Sequence, residues 1–169
     1  MKRILVSVCI GLVAVGSWAA GQGTEGAGDS TTGSGVEPAA DPAIGGYDPV
    51  AYFTQGEARS GSPNIPHEHQ GVVWYFVSSE HRSLFIAEPT KYMPWFGQFC
   101  ANGLSDRHVV DANPVHWMVE GGRLFLFYSA RGRRTWVNGD LGSEFRQAQD
   151  YYREALGSDA IPGDPTGYR

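Results

Sequence analysis

Cys100 carries the most chemistry in this sequence. It stands in Gly97-x-Phe99-Cys100-Ala101-x-Gly103. The other cysteine, Cys9, lies in an apolar N-terminal run that reads as a cleavable leader, so the mature chain keeps Cys100 alone. In an oxidising compartment a lone cysteine has no internal disulfide partner. Three readings follow: a buried small hydrophobe, a soft metal ligand, or a nucleophile. The last two need the thiolate, which a nearby His, Arg or helix N-terminus would favour. Arg107 and His108 follow closely enough in the sequence to do so.

The histidines are His67, His69, His81, His108 and His116. Thiolate with imidazole is a donor set for Cu(I) or Zn(II). One thiolate falls short of a closed structural zinc site, which needs four protein ligands. Cys100 with His81 and His108 is therefore expected to suit copper, or another soft metal ion, in an open site. Met93 and Met118 offer thioethers but read more readily as core packing. His67-x-His69 puts both rings on one strand face; an exposed polar face is the simpler reading. His81 falls inside a helix, where a structural hydrogen-bonding role is the alternative to ligation.

The carboxylates are less informative. Asp48, Asp106 and Asp111 show no spacing that identifies acid–base work. Asp48, before Pro49, reads as a turn residue. There is no Gly-x-Ser-x-Gly elbow, His-Glu-x-x-His helix or phosphate-binding glycine loop. Arg131, Arg133 and Arg134 beside Trp136 read as a solvated helix face.

The elements that must position these residues are short. His67 to Val77 reads as a hairpin turning at Gln70-Gly71, and Val115 to Tyr128 as a second turning at Gly121-Gly122. Ser78 caps a helix that stops at Pro89. Pro89 begins a further short turn, and Arg131 to Val137 forms another helix. Leu141 to Leu156 is the clearest helix, with Phe145, Ala148, Tyr152, Ala155 and Leu156 as its apolar stripe and Gly157 as its C-cap. No βαβ unit and no internal repeat is evident. The expected class is α+β: a small antiparallel sheet of hairpins packed with short helices and a C-terminal amphipathic helix.

Around this domain the ends differ in composition. Met1-Lys2-Arg3, an uncharged run from Ile4 to Ala20, and Ser17-Trp18-Ala19 form a signal-peptide pattern with cleavage after residue 19. Cys9 sits too early in the run for a lipoprotein signal. Residues 20–41 are Gly-, Ser- and Thr-rich and read as a flexible linker. The folded domain is expected over 42–156, with a loose tail over 157–169. The protein is thus expected in the periplasm or outside the cell, without a stable membrane span after cleavage. The 169 residues carry 13 basic and 18 acidic side chains; loss of Lys2 and Arg3 takes the net charge from −5 to −7. That balance argues against a nucleic-acid partner.

A series of short motifs runs through the domain: Gly46-Tyr47-Asp48-Pro49-Val50-Ala51-Tyr52-Phe53, Tyr75-Phe76, Ser79-Glu80-His81-Arg82-Ser83-Leu84-Phe85, Pro89-x-Lys91-Tyr92-x-Pro94 and the Cys100 motif. Their order resembles the YHS-domain family, specifically its small exported single-domain branch, over roughly Gly46 to Trp136. The resemblance implies a compact α+β module. Some YHS domains are similar to cysteine-rich metal-binding domains of heavy-metal transporters, which have a Cys after Asp-Pro-Val. Ala51 stands there in this chain, so that ligand is absent. The exported branch includes selenoproteins; selenocysteine at the Cys100 place would call for a soft nucleophile or ligand. Tyr47, Asp48, Tyr75, Tyr92 and Phe99 crowd the shared motifs and are expected to line a pocket near Cys100. The expected function is soft-metal binding through Cys100 with histidine. The alternatives are a thiol-redox protein needing an external thiol reductant, since no resolving cysteine exists, and a non-catalytic ligand-binding or structural module.

Overall fold

The computed structural model describes residues 41–166, which belong to one compact unit. The leader, and the linker up to residue 40, lie outside the described residues. Among the described residues no helix is long and apolar enough to cross a membrane.

The class is α+β, as the sequence predicts. A tight bend at Ala43–Gly46 leads to α1 (Ala51–Thr54), then to the hairpin β1 (Ser62–His69) and β2 (Val72–Phe76). Helices α2 (Ser79–Ala87), α3 (Pro89–Tyr92) and α4 (Ala101–Ser105) follow. The second hairpin is β3 (Asn113–Glu120) with β4 (Arg123–Phe127), then α5 (Ala130–Asn138) and α6 (Leu141–Leu156). Each hairpin is its own two-stranded antiparallel sheet. Ser78 accepts from the His81 N–H at the start of α2, and Gly157 ends α6 in the left-handed region at φ 60°. Both were legible as caps.

The two halves are copies of one unit, which the sequence does not reveal. Every pairing of the first hairpin recurs 51 positions on: Ser62–Phe76 as Asn113–Phe127, His67–Trp74 as Met118–Phe125, His69–Val72 as Glu120–Arg123. Even the irregularity recurs, between Ser62 and Pro66 and between Asn113 and Trp117. Ser129 caps α5 through the Gly132 N–H as Ser78 caps α2. The loop before each hairpin matches too, with Asp48 N–H on the Arg59 carbonyl and Cys100 N–H on that of Val110. The second loop is one residue shorter, so correspondence there runs at 52: Gly45 to Gly97 (φ 63° and 62°), Asp48 to Cys100.

The copies meet along β4. Four consecutive residues of it are buried. Strand side chains alternate, so Leu124 and Leu126 enter a first core with Val50, Tyr52, Trp74, Phe76 and Phe85. Phe125 and Phe127 enter a second with Trp95, Phe96, Leu104, Trp136 and Tyr152. One parallel bridge, Pro94 to Leu124, fixes the link before α4 to this strand. The start of α6 corresponds to α3, and the rest of α6 has no counterpart among the described residues. It covers the second core through Ala148 and Tyr152, while Ala155, expected on that stripe, faces solvent.

The segment after α6 is packed, contrary to the loose tail expected. Ile161 is fully buried in the second core, and the Gly163 N–H reaches the Trp95 carbonyl at 3.1 Å. A Cβ at Gly163 would lie 2.5 Å from Trp95 Cα, so only glycine allows this approach.

Candidate functional site

The first copy uses its polar residues internally. Asp48 is fully buried. Its Oδ1 accepts the N–H groups of Val50 (2.8 Å) and Ala51 (3.3 Å). Its Oδ2 accepts the Val77 N–H at 2.8 Å and lies 2.7 Å from His81 Nδ1. Asp48 is therefore more than a turn residue: it ties the loop before α1 to the junction of β2 and α2. His81 Nε2 lies 3.3 Å from Thr54 Oγ1. Carboxylate, imidazole and hydroxyl thus stand in the order of a hydrolytic triad. The Thr54 hydroxyl, however, donates to the Val50 carbonyl at 3.0 Å. Its hydrogen is committed to the backbone of α1, and the group is a structural clasp.

The second copy places Cys100 where the first has Asp48. The Cys100 side chain is 3% exposed, and its Sγ accepts the Gly103 N–H at 3.3 Å. The counterpart of His81 is Gly132. With no side chain there, a groove of about 450 Å³ opens beside Cys100, lined also by Asn102, His108, Arg131 and Gly132. Gly103 is tightly enclosed: a Cβ would meet the His108 carbonyl at 3.1 Å and Val110 Cγ2 at 3.0 Å. The His108 N–H donates to the Gly103 carbonyl at 2.7 Å, which keeps His108 beside the Cys100 turn. Asn102 donates through Nδ2 to Asp106 at 2.7 Å, while its buried Oδ1 has no partner.

The structure thus brings two of the expected metal donors together, Cys100 and His108. His81 belongs to the other copy, with its ring nitrogens facing Asp48 and Thr54. Among the described residues no group of three or more His, Cys, Asp and Glu could hold a metal ion. Arg107 does not support the thiolate; it pairs with Glu154 at 2.7 Å and covers the Tyr151 ring.

The expected pocket residues do not converge on Cys100. Tyr47 and Tyr92 pack in or against the first core, and Asp48 is in the clasp. Tyr75 lies near Gly46, on the face of β2 opposite Trp74 and Phe76. Phe99 turns from the groove toward Tyr152, 6.3 Å between ring centres.

Met93 packs in the first core and Met118 against the second. His67 and His69 do share a strand face, but it is not a solvated one: the rings stack at 6.5 Å and both pack on Phe85. Arg131, Arg133 and Arg134 are exposed, as expected of a solvated helix face. The chain matches no family model, no curated protein and no solved structure.

Proposed function

We propose that this chain is an exported YHS-like binding module whose working group is Cys100 with His108, holding a soft metal ion of the copper(I) kind. One observation carries the reading: Cys100 and His108 line the same groove, at the place where Gly132 stands for the His81 of the first copy. Sulfur and imidazole donors suit Cu(I). Two donors suit an open site, with room for a further donor from outside the chain, better than a closed zinc site. Among the described residues, the constellation that reads as an acid–base relay, at Asp48, His81 and Thr54, is occupied in holding the fold, which supports binding over catalysis.

The test is Cu(I) titration of the reduced protein, with Cys100→Ser and His108→Ala in parallel. The reading requires one ion per chain, lost in Cys100→Ser and weakened at least tenfold in His108→Ala. Absence of binding, with rapid reaction of Cys100 with peroxide, would replace it by thiol-redox chemistry. A thiol silent until the protein unfolds would make Cys100 a core residue.

A further inference from the structure

A second cavity lies at the tip of the β1–β2 hairpin, where Phe99, Tyr152 and Pro162 of the second half also line it. It encloses about 310 Å³, within the range of small-molecule sites. Its wall is mainly apolar and includes Ala43, Ile44, Val72 and Met93. Trp74 and His69 also line it. Each carries a ring nitrogen sealed from solvent and without a partner, Trp74 Nε1 and His69 Nε2. Trp74 is only 5% exposed. Buried polar groups in folded proteins are nearly always paired, so each exception asks for an explanation. An indole N–H can only donate, and its missing partner must be an acceptor. Neutral imidazole can donate or accept at Nε2; burial and the neighbouring His67 lower the His69 pKa and favour that neutral form.

The second copy shows what fills the corresponding place. The counterparts of Ala43, Ile44 and Trp74 are Trp95, Phe96 and Phe125. Phe145 of α6 packs on all three, at 5.5, 6.1 and 5.9 Å between ring centres. Arg123, counterpart of Val72, lies over the Phe145 ring at 5.1 Å. In the second copy an aromatic ring from the chain covers this surface. In the first, the same three positions face a cavity, with Phe99 and Tyr152 at its wall and no ring filling it.

We propose that this cavity binds a small aromatic molecule bearing a hydrogen-bond-accepting oxygen, its ring taking the place that Phe145 takes in the second copy and its oxygen meeting Trp74 Nε1 and His69 Nε2. The site is separate from the Cys100 groove and does not depend on metal binding there.

The test uses acetophenone and ethylbenzene, which share a ring and a size but differ in the carbonyl. Each is titrated into ¹⁵N-labelled protein while the indole N–H resonances are followed, with Trp74→Phe assigning the Trp74 signal. The expected result is a saturable shift of that signal with acetophenone, and binding of ethylbenzene weaker by about tenfold. Trp74→Phe keeps the ring and loses the N–H, so it should bind both alike. Ala43→Trp, which installs the residue of the second copy, should exclude both. Failure of both molecules to saturate would overturn the proposal. So would equal affinity in the unaltered protein, or a preference for acetophenone that survives Trp74→Phe.

Discussion

Asp48 and Cys100 occupy the same position in the two halves of the domain. The backbone N–H of each closes the same loop, on Arg59 at 2.8 Å and on Val110 at 2.9 Å. The side chain of each accepts the N–H three residues on, both at 3.3 Å. What differs is the answering residue on the following helix, His81 in α2 and Gly132 in α5. A carboxylate facing an imidazole makes a closed clasp. A thiol facing a glycine leaves a groove. One duplicated framework thus gives a buried carboxylate clasp in one half and a buried thiol beside a groove in the other.

Asp48→Ala should be among the most damaging substitutions in the chain. It leaves His81 and the Val77 N–H without their buried acceptor, and breaking a buried pair costs about 3–5 kcal/mol. Cys100→Ala removes one weak acceptor and a small apolar side chain, for a cost of about 1 kcal/mol. Urea unfolding of both variants compares them directly. Equal losses would mean that the clasp is not what ties the loop down. A double-mutant cycle with His81→Ala should show a coupling of about 1 kcal/mol or more.

The two cores should melt together because β4 belongs to both. Leu124 is fully buried in the first core and Phe125 is 4% exposed in the second. Leu124→Ala should cost about 2–5 kcal/mol and Phe125→Ala about 3–5 kcal/mol. In either variant, signals from Trp74 in the first core and Trp136 in the second should lose native character in one transition. Two separated transitions would show that the copies fold independently.

The elements were largely legible; their relationship was not. Gln70-Gly71 and Gly121-Gly122 announce the turns, Ser78 the start of α2, and Gly157 the end of α6. Each is a local signal set by one or two residues. The duplication is carried instead by backbone geometry and by a few shared residues, such as Gly71 with Gly122, Phe76 with Phe127 and Ser78 with Ser129. The core accepts different aromatics at equivalent places, Trp74 against Phe125 and Phe85 against Trp136, so sequence identity has nearly gone. The constant spacing of hairpin, serine cap and helix was the available signal. The Asp48–His81 pair spans 33 residues and joins a loop to a helix, which no periodicity encodes. For the same reason His81 could not be separated from Cys100 and His108 until the two copies were seen.

Tyr52 joins the copies through one hydrogen bond, its hydroxyl donating to the Pro114 carbonyl at 3.0 Å. Tyr52→Phe should cost about 0.5–1.5 kcal/mol by thermal or urea unfolding. Burial, with smaller contributions from Tyr47 and Asp48, holds the Tyr52 pKa well above its ordinary 10.0. The folded protein therefore keeps this proton more tightly than the unfolded chain. Stability from Tyr52 is fully present below pH 10 and falls as pH rises above it. Tyr52→Phe should flatten that alkaline decline; an unchanged slope would assign it to other groups.

His69 supplies the opposite dependence on the acid side. Burial first, and then the neighbouring His67, lower its pKa from the ordinary 6.5. The unfolded chain then takes up the proton more readily than the folded one. The stability linked to His69 is complete above pH 6.5 and is lost as pH falls through the lower folded value. Protonation would place a cation against Phe85 and beside the apolar cavity, with Trp74 as a further neighbour that only donates. His69→Gln keeps a polar side chain that does not titrate. Its unfolding free energy, measured from pH 7.5 to 5, should decline less steeply than that of the unaltered protein. His116→Gln, on half-buried β3 of the second hairpin, is the control. If both substitutions flatten the curve equally, the acid sensitivity belongs to histidine content at large and not to the packing of His69 against Phe85.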